Sequence, residues 1–184
     1  MDKIIPLIFV ILSLEVTSQD QLRVIKVNER IALKIPLFFS QMPEGERINK
    51  FVSSRTPIAM FTSEDREADL GINTNMMRWV EGGENKLKSL YKGTFETLFD
   101  KVEYIQDTVK EINGRKFIVF EFVSSVKDEN AFSGTTSTRN YSYIQYTSYN
   151  DQILLFNFGC KPKRMGKWQP IVKEIMESIK LKGN

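Results

Sequence analysis

The run Arg115–Val123, Arg-Lys-Phe-Ile-Val-Phe-Glu-Phe-Val, dictates more of the fold than any other stretch of the chain. β-Branched and aromatic side chains dominate it, and these fit a pleated, half-buried surface. Asn113-Gly114 stands directly before it. Two-residue hairpin turns favour that pair because both positions need positive φ. Val102–Ile112 before the turn and Asn140–Tyr149 after the run also read as strands, so the middle of the chain is an antiparallel meander. Ile118, Phe120 and Phe122 fall on one face of the central strand, and Phe117, Val119 and Val123 on the other. Both faces are apolar, which calls for cover on both sides. Glu121 is the one acidic residue in the run and reads as half of a cross-strand pair at the sheet surface.

Two segments of helical period can supply the cover. Leu87, Leu90, Tyr91, Phe95, Leu98 and Phe99 recur at three- and four-residue steps, with Asn85 as the N-cap. Gly93 within this helix reads as a close approach to the sheet or as a tolerated cost. Trp168, Ile171, Val172, Ile175, Met176 and Ile179 make the second face, with Pro170 in the first turn, where its missing N–H is harmless. Upstream, Ile31, Leu33 and Ile35 alternate as a strand, and Leu37–Pro43 reads as an irregular turn whose aromatics plug the core. Glu44–Arg55 reads as a loop or a short helix. Pro57–Thr62 and Ala68–Asn73 form a hairpin about a polar turn, with Asp69 and Asn73 toward solvent. Gln152–Lys161 is a strand with Leu154, Phe156, Phe158 and Cys160 on one face, Cys160 as a small buried hydrophobe. Ser124–Thr138 reads as a long polar loop. The fold class is α+β: an antiparallel sheet of about six to seven strands packed with two main α-helices.

With 184 residues, positions 31–184 make a single domain. The 26 basic residues barely exceed the 23 acidic ones, and no basic stripe of the kind nucleic acid demands is present. The chain has no histidine and one cysteine, which removes the commonest general base, the commonest zinc ligand and any internal disulfide. Glu64, Asp65, Glu67 and Asp69 lack the glycine-containing spacing of a calcium loop and read as a solvated hairpin tip. No serine stands in a nucleophile elbow, and Gly82-Gly83 is not followed by the Lys-Ser/Thr of a phosphate loop. No catalytic residue, metal ligand or cofactor is expected.

Met1–Ser18 reads as a secretory signal. Lys3 precedes an apolar run from Ile4 to Leu14, and Val16-Thr17-Ser18 offers a cleavage site before Gln19. The run of about 11 residues is too short to span a bilayer, and the mature chain carries no transmembrane helix. Residues 19–30 form a polar leader or an edge strand. The expected location is exported, in a bacterial periplasm or outside the cell.

The element order resembles the PsbP-like fold superfamily, which also holds the bacterial DcrB-like envelope proteins and the eukaryotic Ran-binding Mog proteins. The resemblance spans most of residues 31–182. It rests on Ala32-Leu33-Lys34-Ile35-Pro36 followed by Gln41-Met42-Pro43, on Pro57-Ile58-Ala59-Met60-Phe61 with Asp69-Leu70-Gly71-Ile72-Asn73, and on Ile171–Ile179. It implies an α/β sandwich whose members act as accessory, scaffolding or binding proteins, with no shared catalytic motif.

Two surface clusters are candidate partner contacts. Lys161, Lys163, Arg164 and Lys167 concentrate positive charge before the last helix, where an acidic partner or anionic surface could dock. Tyr141 and Tyr143, with Arg139 beside them, share one face and read as an exposed ladder next to the Ser124–Thr138 loop. The expected function is a non-catalytic exported accessory protein that docks a protein partner. Its rivals are a small-ligand or lipid binder with a cavity under the Leu87–Phe99 helix, and a hydrolase working with carboxylates alone.

Overall fold

A computed structural model describes residues 22–50, 56–79, 82–128, 136–150 and 152–183. The secretory segment read at Met1–Ser18 lies outside them. The strands are β1 (Leu22–Lys26), β2 (Ile31–Pro36), β3 (Phe39–Gln41), β4 (Ala59–Ser63), β5 (Ala68–Asn75), β6 (Lys101–Ile112), β7 (Arg115–Asp128), β8 (Thr136–Tyr149), β9 (Gln152–Cys160) and β10 (Lys180–Leu181). The helices are α1 (Glu44–Lys50), α2 (Glu84–Leu98) and α3 (Met165–Glu177). Seven strands form one sheet in the order β3-β4-β5-β9-β8-β7-β6, and β1-β2-β10 form a second. Every pairing is antiparallel. The polar leader thus contributes an edge strand, β1. Among the described residues no helix is long and apolar enough to cross a membrane.

The Asn113-Gly114 turn holds as read. Both residues have positive φ, 50° and 78°, and Ile112 pairs with Arg115 across them. The Ser124–Thr138 segment is not one long loop. β7 runs on to Asp128 and β8 begins at Thr136, with Ser125 opposite Arg139 and Val126 opposite Thr138. Ladder hydrogen bonds need no apolar side chains, so a polar hairpin arm can extend past the core. Residues 129–135 lie outside the described residues.

The central strand β7 is covered on both faces, as its apolar pattern requires. On one face, Phe117, Val119, Tyr141, Tyr143, Phe156 and Phe158 meet Trp168, Val172, Ile175 and Met176 of α3 and Ile31, Leu33 and Ile35 of β2. Phe39 plugs this layer, its ring 5.4 Å from that of Trp168. On the other face, Ile118, Phe120, Phe122, Ile144 and Tyr146 meet Tyr91 and Phe95 of α2.

α2 departs from expectation in its burial and its N-cap, and settles the reading of Gly93. Only Tyr91 and Phe95 of its apolar positions are buried, while Leu90 and Leu98 are 50% and 64% exposed. Gly83 occupies the N-cap and Asn85 sits inside the helix. Gly93 faces solvent with nothing within 4 Å of where a Cβ would stand, so it is a tolerated cost. Tyr91 stacks on Tyr146 at 3.9 Å and Phe95 meets Phe120 edge-on at 5.2 Å, so rings occupy the space where the rival ligand-binding reading puts a cavity.

α3 starts earlier than Pro170 suggested. Pro162 opens a 3-10 turn, Pro162–Arg164, that leads into Met165. Pro170 therefore lies inside the helix, and its missing N–H leaves the Gly166 carbonyl without its intrahelical donor. Pro162 is the start signal.

Candidate binding groove

Among the described residues α2 packs over β6–β8 and the start of β9, and leaves β4, β5 and the rest of β9 uncovered on that face. β5 alternates strictly: Ala68, Leu70 and Ile72 enter the core, while Asp69, Gly71, Asn73 and Asn75 face the other way. Leu155, Asn157 and Gly159 of β9 and Asn140 and Ser142 of β8 continue that face. The register puts Gly71 beside Asn157, Gly159 between Asp69 and Ser142, and Asn73 beside Leu155. Met60 of β4 flanks Gly71. α1 stands at the side, where Lys50 bridges Glu46 at 3.1 Å and Asp69 at 3.2 Å, and Arg66 reaches Glu46 at 2.7 Å. The result is a groove of about 860 Å³ with a polar sheet as its floor.

Gly71 and Gly159 let the floor amides lie low. A Cβ at Gly159 would sit 3.3 Å from Asn140 Nδ2, and one at Gly71 would sit 3.4 Å from Asn73 Nδ2 and 3.7 Å from Met60 Cε. Each asparagine thus leans over bare backbone. Asn140 Nδ2 donates to Ser142 Oγ at 3.3 Å. Asn157 Oδ1 is buried and has no hydrogen-bond partner among the described residues.

Charges at the rim are largely neutralised within the protein. Burial pulls the Lys50 ammonium down, but Glu46 and Asp69 outweigh it and hold its pKa above the ordinary value. Arg164 grips Glu67, Nε to Oε2 at 2.5 Å and Nη2 to Oε1 at 2.9 Å. The Ser63 hydroxyl donates to Asp65 at 2.6 Å and holds that carboxyl below the usual range, aided by Lys167 at 3.8 Å. Burial in the core on the α3 side pushes the Cys160 thiol up to about 12.

The residues singled out from sequence separate accordingly. Lys161 lines the groove and Lys163 is exposed on the turn beside it. Arg164 and Lys167 are committed to the β4–β5 turn, and Lys167 also lies over the Trp168 ring at 4.8 Å. Arg139 pairs with Glu103 at 3.1 Å, away from the groove. Tyr141 and Tyr143 are not an exposed ladder: both are fully buried beneath α3. Glu121 likewise is not at a sheet surface but 1% exposed, accepting from Tyr141 Oη at 2.9 Å and Gln169 Nε2 at 2.5 Å. The groove residues themselves went unmarked. Glycine and asparagine are depleted in strands, so Gly71 and Asn73, like Asn157 and Gly159, were the available signal.

No protein-family model matches the chain, and no curated protein matches it. Solved structures do. A cyanobacterial PsbP from Synechocystis sp. PCC 6803 superposes with a TM-score of 0.60 at 11% identity, over 90% of this chain and 95% of that one. PA94 of Pseudomonas aeruginosa, of unknown function, gives 0.53 at 12% identity, over 89% and 99%. LpqN, involved in cell envelope biogenesis of Mycobacterium tuberculosis, gives 0.52 at 12%, over 88% and 90%. The likeness is one of fold, and by it this chain is an α+β protein of the PsbP-like fold.

Proposed function

We propose that the chain is a non-catalytic accessory protein, exported to a bacterial envelope, that docks a protein partner in the groove across β5, β9 and β8, with Lys161 and Lys163 at its margin. The buried Asn157 Oδ1 on the groove floor, without a partner among the described residues, carries this reading, because a buried acceptor without a donor is costly unless something supplies one. The carboxylates nearby support binding over catalysis: Glu67 is engaged by Arg164 and Asp69 by Lys50. The Met1–Ser18 segment supports export. LpqN, of similar fold, serves envelope biogenesis.

A photo-crosslinking residue at position 161, compared with one at exposed position 174 on α3, tests the reading in the native cell. A discrete adduct from 161 alone is expected. Equal adducts from both positions, or none, remove the docking site, and retention in the cytoplasm removes export. A second reading, a small polar ligand in the same groove, is favoured by its volume, which falls within the ~300–1,000 Å³ of small-molecule sites.

A further inference from the structure

We infer that the partner is recognised through an extended, uncharged peptide segment, read by the side-chain amides of Asn73, Asn140 and Asn157 over the bare backbone at Gly71 and Gly159. The inference rests on the docking reading above and names the chemistry of what docks. A carboxamide presents one acceptor and two donors, which matches the alternating N–H and C=O of an extended chain. Asn157 Oδ1 is the acceptor left open, so the ligand brings a donor to it. At Gly71 and Gly159 the missing side chains let the Asn73 and Asn140 amides fold down onto the sheet, so an extended segment meets a floor of side-chain amides.

The length fits as well. Asp69 to Asn75 spans about 20 Å at about 3.3 Å per residue, room for about six extended residues. Met60 and Leu155 offer apolar spots for small side chains. An ionic ligand finds less to hold, because Lys50, Arg66, Glu67 and Asp69 already pair within the protein. A carbohydrate also fits less well, since no aromatic ring lines the groove among the described residues to stack against a sugar face.

The test screens the full chain against a bead-bound pool of randomised hexapeptides capped at both ends, with N-acetylglucosamine tetramer as the rival probe. Enrichment of uncharged, small-residue peptides is expected, with affinity about tenfold lower for Asn157→Leu and for Gly159→Ala. Melting curves establish that each variant is folded, and either one alone suffices. Enrichment of acidic peptides overturns the inference and leaves docking at Lys161 and Lys163 standing. So does binding of the tetramer without peptides, or binding by both variants at the original affinity. If no peptide is enriched while position 161 still crosslinks, the peptide chemistry fails and the docking site survives. If crosslinking also fails, both fall.

Discussion

The Tyr141 hydroxyl donates to the Glu121 carboxylate across 2.9 Å, with both side chains buried between the large sheet and α3. Burial is the first reason the Tyr141 phenol is pushed up, and the Glu121 charge is the second. The pair joins β8 to β7, and Gln169 closes it from the helix. Tyr141→Phe leaves a buried carboxylate short of a donor, a loss of about 1–3 kcal/mol. Adding Glu121→Leu should cost less than the sum of the two single changes, because it removes the stranded acceptor. Urea unfolding of the four members of the cycle checks this, and additive losses would show that the contact carries no coupling.

That pair also marks how far sequence pattern reaches. Alternation put Tyr141 and Tyr143 on one face of their strand, but period two says nothing about what lies above a face. The cover comes from α3, and Gln169, the helix residue that meets Glu121, lies 48 positions away along the chain. The strong apolar signals, Phe117–Val123 and Val172–Met176, are where burial followed the pattern. The groove was hidden for a related reason. Gly71 and Asn157 are each visible as odd strand residues, yet only the β5–β9 register makes them neighbours. The Ser124–Thr138 reading failed because composition records burial, and a solvent-exposed ladder has little to bury.

Cys160 should resist alkylation in the folded chain. It is 4% exposed, and burial followed by the Glu67 charge raises the thiol from an ordinary 9.0 to about 12. Iodoacetamide at about pH 8 meets almost no thiolate there, whereas the urea-unfolded chain should react readily. The linkage has a definite sign. A group that stays protonated longer in the folded state contributes stability fully below its unfolded pKa, and that contribution is lost as pH rises toward the folded value. Tyr143 and Tyr146, both raised chiefly by burial, act in the same sense. Unfolding midpoints should therefore fall above about pH 9, and a flat alkaline limb would contradict the assignment.

Asp107 governs the acid limb under α2. Burial pushes its carboxyl up, but Lys92 at 2.7 Å and Lys88 at 3.1 Å outweigh that and hold it below the ordinary value. A depressed carboxylate contributes stability above its unfolded pKa and loses it as pH falls through the folded one. Asp107→Asn should cost about 1 kcal/mol near neutrality, kept modest by the solvent that reaches Lys92. The difference from the parent should vanish in acid, once Asp107 is protonated in both states. A constant difference down to the acid transition would show that packing, not charge, is responsible.

Asn157 separates stability from function. Its Oδ1 is buried and unpartnered among the described residues, so those residues gain nothing from the oxygen. Asn157→Leu keeps a similar shape and places an apolar group beside Leu155 and Ile144, which already adjoin the α2 cluster. Unfolding free energy should stay level or rise by up to about 1 kcal/mol. Asn140→Leu differs, because it removes a donor to Ser142 Oγ at an exposed position, and it should change stability by a few tenths at most. Both variants should bind an extended segment about tenfold more weakly. A polar side chain whose removal leaves the fold as stable while weakening binding is there for the ligand, in the way strained or unsatisfied groups concentrate at functional sites. A drop of more than about 1 kcal/mol in Asn157→Leu would instead mean that the amide is satisfied within the protein and that the groove floor is ordinary sheet surface.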